Sequence, residues 1–542
     1  MRQELERILE GRVADDETTL ATYSRDASLC EVKPHLVVFP RGSEDIQKLV
    51  RFVSERKTND PTLSITARAA GSCMSGGPLG ESIILDTSRY MRGVPSFDGS
   101  VAEVLPGTFY RDFEKETLRR GLILPCYTAS KDLCALGGMI GNNAAGEKTL
   151  RYGKMEDYVE SLSVVFSDGN EYEVRLLSSG ELKRKISQND FEAEIYRKVF
   201  ALIEENREEI ERARPKVSKN SAGYYLWNVW DGQTFNLVKL LVGSQGTLGI
   251  VTRARLRLVP VTKHSRLFVI FLKDLSCLSE LVNIILRFRP ESLESYDDST
   301  LRLAVRFFPE MVGLMKGGLV KLLWSFLPEI AMVLTGGVPK LVLLAEFTGE
   351  TNEAIERTMH TLENTLLVYK LQMHVTKTED EAGKYWTIRR QSFNLLRRHI
   401  RGKRTAPFVD DVVVDPKYLP EFLPRMRAIL DEYKLVYTIA GHAGNGNFHI
   451  IPLMDMRDCR NVSIILEVSD KVYDLVARYG GSITAEHNDG IIRTPYLGKM
   501  FSPKMLELFA EVKNIFDPRN IFNPGKKVGG SVEYLKEHIS GK

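Results

Sequence analysis

Short apolar runs alternate with helical patterns along the whole chain. The runs that predict strands cover residues 35–40, 63–68, 81–88, 101–107, 266–272 and 341–349, and the stretch VESLSVVFSDGNEYEV predicts a hairpin. Amphipathic or charged segments predict helices at residues 43–56, 108–121, 189–214, 277–288 and 464–478. Because strands and helices alternate in both halves, and because the pattern changes near residue 265, the sequence predicts an α+β protein with a distinct second unit.

Residues 303–345 form an unusually apolar segment. Charges at Lys316, Lys321, Glu329 and Lys340 interrupt it, so no stretch reaches the ~18 uncharged residues that a spanning helix needs. We favour buried core helices followed by one strand. The alternative is a surface that dips into a membrane, with Lys321 and Trp324 near the headgroups.

Composition narrows the class of protein. A chain of 542 residues predicts two or three domains, and 74 basic against 71 acidic residues argues against nucleic acid as a partner. The six cysteines form no CxxC pair, which argues against zinc ribbons and built-in iron–sulfur clusters. The first residues, MRQELERILEGRVADDE, lack an apolar signal core and predict a short amphipathic helix, so we expect a cytoplasmic protein.

Two loops rich in small residues lie at positions 68–77 and 137–146. Small residues let the backbone approach a ligand, and exposed N–H groups there bind phosphate oxygens. Neither loop has the spacing of a Walker A motif or of a dinucleotide-binding GxGxxG fingerprint. The loops therefore predict a phosphate-bearing cofactor held in a different manner; the alternative is two tight turns in an ordinary α/β core.

Several segments, in order, carry a family resemblance. They are PHLVVFPRGSEDIQKLV, GSCMSGGPL, LGGMIGNNAAGEKTLRYG, VESLSVVFSDG, VGSQGTLGIVT, GHAGNGNFHI, GGSITAEHNDG and VKNIFDPRNIFNPGK. Over roughly residues 20–527 the chain resembles the vanillyl-alcohol oxidase / p-cresol methylhydroxylase superfamily. Within it, the resemblance is closest to D-lactate and D-2-hydroxyglutarate dehydrogenases and the glycolate oxidase flavoprotein.

The resemblance implies a two-part FAD-binding domain of the p-cresol methylhydroxylase type and a C-terminal α+β cap domain with a ferredoxin-like sheet. We expect an N-terminal helical segment at 1–30, the FAD-binding domain at 31–260, the cap domain at 261–527 and a tail at 528–542.

The same resemblance implies that both loops wrap the FAD pyrophosphate and that residues 243–250 lie along the adenosine or the flavin. The expected cofactor-binding residues are Arg68, Gly71, Ser72, Cys73, Ser75, Gly76, Gly77, Gly137, Gly138, Asn142, Asn143, Gly146, Gly249 and Ile250. Ala69 and Ala70 stand where the family usually has glycines. No histidine or cysteine is placed for covalent attachment, so we expect noncovalent FAD.

Three of the nine histidines lie in two C-terminal motifs. His442 and His449 flank a glycine-rich centre between apolar ends, which predicts a strand-turn-strand with both imidazoles on one side. Glu486 and His487 follow after a helical stretch. Two histidines and a carboxylate commonly hold a divalent metal with open positions; the alternative is a set of hydrogen-bonded polar residues packed around the flavin. The resemblance implies a metal, usually zinc, at His442, His449 and Glu486, and a catalytic base at His487.

The substrate carboxylate needs a counter-charge. Arg389 in YWTIRRQSFNLL matches a family Trp-x-x-Arg helix and is the candidate, since an arginine grips a carboxylate bidentately. The alternative is an exposed helix arginine, of which Arg390 is the example. Val409, in APFVDDVVVDP, stands where hydroxyglutarate dehydrogenases have a lysine for a second carboxylate. That difference favours a monocarboxylate, although some longer relatives with the EHNDG form prefer hydroxyglutarate.

The resemblance implies oxidation of D-lactate, glycolate or D-2-hydroxyglutarate to the 2-oxo acid, with hydride transfer to flavin N5, a metal and a histidine base. Alternatives are a transferase similar to alkyl-dihydroxyacetonephosphate synthase and a non-catalytic flavin subunit. We expect a quinone, an electron-transfer flavoprotein or a separate iron–sulfur protein as electron acceptor. Peripheral contact with the inner face of the membrane is the alternative to a purely cytoplasmic protein. The sequence leaves the oligomeric state open.

Overall fold

The computed structural model describes residues 1–306, 337–399 and 402–540. Near the N-terminus, a four-stranded sheet has the order Arg12–Ala14, Leu36–Phe39, Ile83–Asp86 and Ile65–Arg68. The last three strands are parallel, and the first is antiparallel to its neighbour. The helix Ser43–Arg56 packs on this sheet because its apolar residues recur at helical spacing on one face: Ile46, Leu49, Val50 and Val53. The first glycine-rich loop leaves the carboxyl end of Ile65–Arg68.

A second sheet is antiparallel and has the order Ser96–Asp98, Val101–Val104, Ile250–Arg257, Val159–Val165 and Glu171–Arg175. In the strand Ile250–Arg257 every second residue is buried, as expected for a sheet with one face on the core. The predicted hairpin at VESLSVVFSDGNEYEV is the pair Val159–Val165 and Glu171–Arg175. The second glycine-rich loop contributes the short helix Leu136–Asn142 beside this sheet.

The C-terminal half is built on an eight-stranded sheet in which every pairing is antiparallel. Its order is Gln372–Val375, His264–Leu272, Leu341–Gly349, Ser292–Asp297, Val436–His442, Asn447–Met454 and Arg404–Thr405, with Val412–Val413 also paired to Asn447–Met454. The strands Ser292–Asp297 and Val436–His442 lie near its centre, and they carry residues of the site described below.

Helices surround these sheets. Within the described residues, those of four or more residues, besides the two named above, are Arg2–Ile8, Glu17–Tyr23, Tyr110–Leu118, Thr149–Tyr152, Ser179–Ile186, Phe191–Glu205, Arg207–Ala213, Val238–Leu241, Leu278–Arg287, Asp298–Arg306, Asn352–Leu366, Glu379–His399, Leu419–Glu432, Arg460–Arg478, Gly490–Arg493, Thr494–Lys499, Pro503–Phe516 and Val532–His538. Two-stranded pairings join Leu122–Ile123 to Val259–Pro260 and Leu177–Ser178 to Thr234–Phe235.

The α+β class predicted from the sequence is confirmed, and the C-terminal antiparallel sheet is present with eight strands. The predicted domain boundaries remain predictions. Of the apolar segment 303–345, the strand Leu341–Gly349 is present, while residues 307–336, with Lys321 and Trp324, lie outside the described residues. Among the described helices, none has the length and apolar character to cross a membrane.

Candidate functional site

A cavity of about 780 Å³ lies where the two glycine-rich loops face the C-terminal sheet. Most of the residues predicted to bind cofactor, substrate or metal line it. They are Arg68, Gly71, Ser72, Cys73, Gly77, Gly137, Gly138, Asn142, Gly249, Ile250, Arg389, His442, His449, Glu486 and His487. Loops separated widely in sequence and the two C-terminal motifs therefore form one site.

Four residues predicted to bind the cofactor lie behind the cavity wall. The Ser75 hydroxyl is fully buried and donates to the backbone oxygen of His487, at 3.0 Å. Gly76 has a positive φ of 80° and packs against Ile491. Asn143 ends a helix in the left-handed region and accepts a hydrogen bond from the Glu156 N–H. A Cβ on Gly146 would lie 2.0 Å from the Tyr127 oxygen. These residues, Ser75, Gly76, Asn143 and Gly146, support the loops rather than form the wall.

The wall has a cradle where side chains are missing. A Cβ built on Gly138 would have Ala69 as its nearest protein neighbour at 3.9 Å, and one on Gly141 would have Gln245 at the same distance. Both residues line the cavity, so their missing side chains leave room on the cavity side. Close backbone approach of this kind is what a pyrophosphate-bearing cofactor requires. The residues present therefore fit FAD.

The predicted strand-turn-strand around His442 and His449 is confirmed. The strands Val436–His442 and Asn447–Met454 pair in a register that sets Ala440 opposite His449. The two imidazole centroids lie 5.2 Å apart, and Nε2 of His442 lies 2.9 Å from Oε1 of Glu486. Each of His442, His449 and Glu486 offers a ligand atom, and the three atoms lie within 4.8 Å of one another.

Buried carboxylates orient both imidazoles. Nδ1 of His442 donates to Oε1 of Glu294 at 2.6 Å, and Nδ1 of His449 donates to Oδ1 of Asp410 at 3.2 Å. An ionised carboxylate can accept hydrogen bonds but cannot donate them, so Glu294 and Asp410 favour a proton on Nδ1 of each ring. With a cation bound between the rings and Glu486, Nε2 of each ring would be the ligand atom. The donor set therefore fits a divalent metal. A second group of candidate metal ligands overlaps the first and consists of Asp410, His449 and His487. In that group, however, the oxygens of Asp410 already contact Nδ1 of both imidazoles.

Charge is concentrated around this group. Burial alone would lower the pKa of His487, but the charges of Asp410 and Asp411 outweigh burial and raise that pKa to about 9. Burial works to raise the pKa of Glu486, but Lys219 and His442 hold it well below its usual range. Glu486 is therefore ionised and suited to bind a cation, and a cation held there would oppose the rise in the His487 pKa.

Arg389 lines the cavity as predicted, but its guanidinium already forms an ion pair with Glu294. Arg390 is an exposed residue of the helix Glu379–His399, as expected, but it has further contacts. Its side chain is 45% exposed, lines the same cavity, pairs with Glu147 at 2.6 Å and lies over the Trp386 ring. Two arginines therefore face the cavity, each with a carboxylate partner.

Sequence reasoning missed Lys219, Glu294 and Glu147. Lys219 and Glu294 lie in segments without a recognisable motif, and Glu147 directly follows the second glycine-rich loop. Each acquires its role only through long-range contacts. The sequence offered no clear signal for Lys219, which is the last of several basic residues in ERARPKVSKNSAGYYL.

The fold and the cavity define a protein that can hold a large, phosphate-bearing cofactor between its two halves. Residues 34–175 match the model of the FAD binding domain, and residues 261–527 match that of the FAD linked oxidases, C-terminal domain. The chain belongs to the FAD-linked oxidases.

Individual relatives agree with this assignment. D-2-hydroxyglutarate dehydrogenase of Pseudomonas putida is 27% identical over 524 residues, a match that covers 95% of this chain and 50% of that protein. The chain thus spans about half the length of the first curated relatives it matches. D-lactate dehydrogenase of Archaeoglobus fulgidus is 25% identical over 496 residues and is covered to 91%. The solved 4-ethylphenol oxidase from Gulosibacter chungangensis has a TM-score of 0.69 at 16% identity, covering 98% of this chain and 97% of that one, which shows the shared fold alone.

Proposed function

We propose that this protein is an FAD-dependent dehydrogenase that oxidises a small D-2-hydroxy acid to the 2-oxo acid. One observation carries the proposal: His487 and the three metal-ligand candidates line the same cavity as the glycine cradle. Oxidation of a 2-hydroxy acid removes a hydroxyl proton and a C2 hydride. These two steps need an imidazole as base, a cation site beside the hydroxyl and a flavin as hydride acceptor. The relatives named as D-2-hydroxyglutarate and D-lactate dehydrogenases support the substrate class and its configuration.

His487 is the proposed base. Its Nδ1 lies 2.7 Å from Oδ2 of Asp410, which leaves Nε2 to take a proton from the substrate hydroxyl. Arg389 and Arg390 are the proposed counter-charges for substrate carboxylates, since both line the cavity.

His442, His449 and Glu486 would hold a divalent metal, and we propose zinc because two imidazoles and a carboxylate with an open position suit it. Such a metal, when bound, supplies positive charge that lowers the pKa of a substrate hydroxyl. Lys219 and Glu294 hold Glu486 and His442 in place, through contacts to Glu486 Oε1 and to His442 Nδ1.

Bound FAD supplies the hydride acceptor, and we propose that it is held noncovalently. Cys73 and Cys134 are the thiols among the described cavity-lining residues, and burial raises the pKa of both, to about 11 for Cys134. A thiol kept protonated is a poor nucleophile toward a flavin. The proposed electron acceptors remain a quinone, an electron-transfer flavoprotein or a separate iron–sulfur protein.

The test is anaerobic stopped-flow reduction of the bound flavin by D-lactate, L-lactate, glycolate and D-2-hydroxyglutarate. We expect bleaching of the visible flavin band by at least one D-2-hydroxy acid, and much slower bleaching by L-lactate. If none of the four acids reduces the flavin of metal-replete protein, the proposed function is wrong.

A further inference from the structure

One carboxylate contacts two functional imidazoles. Asp410 is completely buried; its Oδ1 accepts from Nδ1 of His449 at 3.2 Å, and its Oδ2 lies 2.7 Å from Nδ1 of His487. The two rings stack, with centroids 5.2 Å apart and planes 23° apart. An ionised carboxylate has lone pairs on both oxygens, so one oxygen can serve each ring. The contact to His449 is a hydrogen bond, and the contact to His487 is an ion pair whose angle departs from that of a hydrogen bond. His449 belongs to the hairpin and His487 to the loop that follows the helix Arg460–Arg478, so Asp410 joins two separate parts of the site.

The neighbouring residue explains how Asp410 is held in place. Asp411 has a φ of 77°, a left-handed conformation that is strained for a residue with a side chain. Its Oδ2 accepts from three consecutive backbone N–H groups, those of Ala485, Glu486 and His487, at 2.9, 2.8 and 2.7 Å. Asp411 therefore fixes the backbone of the Glu486-His487 loop, while the side chain of Asp410 is left to contact the rings.

We propose that Asp410 is a positioning residue shared by His449 and His487, which keeps the proton of each ring on Nδ1 and so presents Nε2 of His449 to a metal and Nε2 of His487 to the substrate hydroxyl. The inference rests on the proposed function. It adds that metal site and base are oriented by a common group, so that a single substitution disturbs both.

Asp410→Asn separates this role from a general structural one. A side-chain amide has one accepting oxygen and one donating nitrogen, so it satisfies one ring at most in the required tautomer. We expect FAD to remain bound, the affinity for Co²⁺ to fall by roughly 10- to 100-fold, and flavin reduction by the preferred acid to slow by roughly 10²- to 10⁴-fold. At saturating Co²⁺, KM should change less than the rate of flavin reduction, because Asp410 is completely buried and acts through the two rings.

A double-mutant cycle gives a readout that a merely structural residue would not move. If Asp410 acts on the base through His487, then at Co²⁺ concentrations that saturate both variants Asp410→Asn should add no slowing when His487 is already replaced by Asn. Asp297→Asn is the matched control: it removes another fully buried carboxylate, one that pairs with Arg427 at 2.9 Å outside the cavity wall. It should leave both Co²⁺ affinity and flavin reduction unchanged.

The two measurements keep the proposals apart. If no hydroxy acid reduces the wild-type flavin, the proposed function fails and the Co²⁺ affinity of Asp410→Asn decides the role of Asp410. If the wild type binds no Co²⁺, the proposed metal site is wrong, and the double-mutant cycle decides the role of Asp410. Unchanged Co²⁺ affinity and flavin reduction in Asp410→Asn, or fully additive slowing in the cycle, overturns the inference.

Discussion

The ammonium group of Lys219 lies 2.5 Å from Oε1 of Glu486, although the two residues are 267 positions apart in the chain. Lys219 is fully buried and also donates to the Gly146 oxygen at 3.3 Å, at the end of the second glycine-rich loop. The same Glu486 oxygen lies 2.9 Å from Nε2 of His442. A fixed cation therefore connects the FAD-binding half of the chain to the proposed metal ligands.

Replacing Lys219 by Met should destabilise the metal-free protein by about 3–5 kcal/mol, because Glu486 keeps a buried charge without its main partner. Co²⁺ should then raise the melting temperature more in this variant than in the wild type, since the metal supplies the missing charge. Lys154→Met, which breaks another buried pair with Glu156 at 2.9 Å, should lose stability without this extra gain. Equal Co²⁺ shifts in wild type and Lys219→Met would contradict the prediction.

Glu486→Gln and His487→Asn should separate metal binding from base catalysis. The first removes an anionic ligand, so elemental analysis should show loss of metal with FAD retained, and activity should fall with the metal content. The second should keep both metal and FAD but slow flavin reduction by roughly 10²- to 10⁴-fold, as expected for loss of a general base. Active wild-type enzyme without stoichiometric metal would refute the metal assignment.

The glycine cradle at Gly138 and Gly141 allows FAD binding to be tested separately from metal binding. A valine at Gly138 meets no protein atom closer than 3.9 Å at its Cβ, so it should leave the apoprotein stable but fill space that the cofactor needs. We expect FAD affinity, measured by fluorescence titration of apoprotein, to fall by at least tenfold. Gly146→Ala is the contrast: its Cβ would lie 2.0 Å from the Tyr127 oxygen, so it should lower the stability of the apoprotein itself. Wild-type FAD affinity in Gly138→Val would show that the cradle is elsewhere.

Arg390 should discriminate between substrates with one and two carboxylates. It is half-exposed in the cavity and pairs with Glu147. It can therefore bind the distal carboxylate of a substrate, a role that the buried, uncharged Val409 does not offer. Arg390→Met should lower kcat/KM for D-2-hydroxyglutarate by roughly 10- to 100-fold, the range for one charge-assisted hydrogen bond, and change that for D-lactate much less. Steady-state kinetics with both acids checks this, and Arg390→Lys should recover part of the loss. An equal loss for both acids would assign Arg390 to the shared carboxylate instead.

Lys526 should make stability depend on pH. Burial lowers its pKa from 10.5 to about 8, although Glu81 opposes the shift. The folded protein therefore releases this proton before the unfolded chain does, and the contribution of Lys526 to stability rises between about pH 8 and 10.5. Lys526→Met should be more stable than wild type at pH 7, by up to about 3 kcal/mol, and the difference should shrink as the pH rises to 10. Chemical denaturation at both pH values measures it.

Lys536→Met serves as the control for this effect. Lys536 is exposed on the helix Val532–His538, so its removal should change stability little and by the same amount at both pH values. A difference between Lys526→Met and wild type that does not vary with pH would show that the charge of Lys526 is not what destabilises the folded state.

Local sequence patterns were sufficient to predict several helices and strands and some of the residues that line the site. The period of apolar residues predicted the helix Ser43–Arg56, the hairpin of Val159–Val165 with Glu171–Arg175 and the strand-turn-strand around His442. These depend on contacts between residues close in sequence, which a linear pattern records. The glycine-rich loops also identified part of the cavity wall, because absence of side chains is visible in the sequence itself.

The sequence alone determined the α+β class and the two loops, since both are fixed by residue type and local spacing. The family resemblance then pointed to His442, His449, Glu486 and His487 as site residues. Only the tertiary structure decided which charges meet these groups: Lys219 on Glu486, Glu294 on His442 and Arg389, and Asp410 on two imidazoles. It also placed Ser75 and Gly146 behind the wall and Arg390 in it. Such pairings join residues from different sheets and loops, and burial makes each ion depend on a partner that no local periodicity specifies.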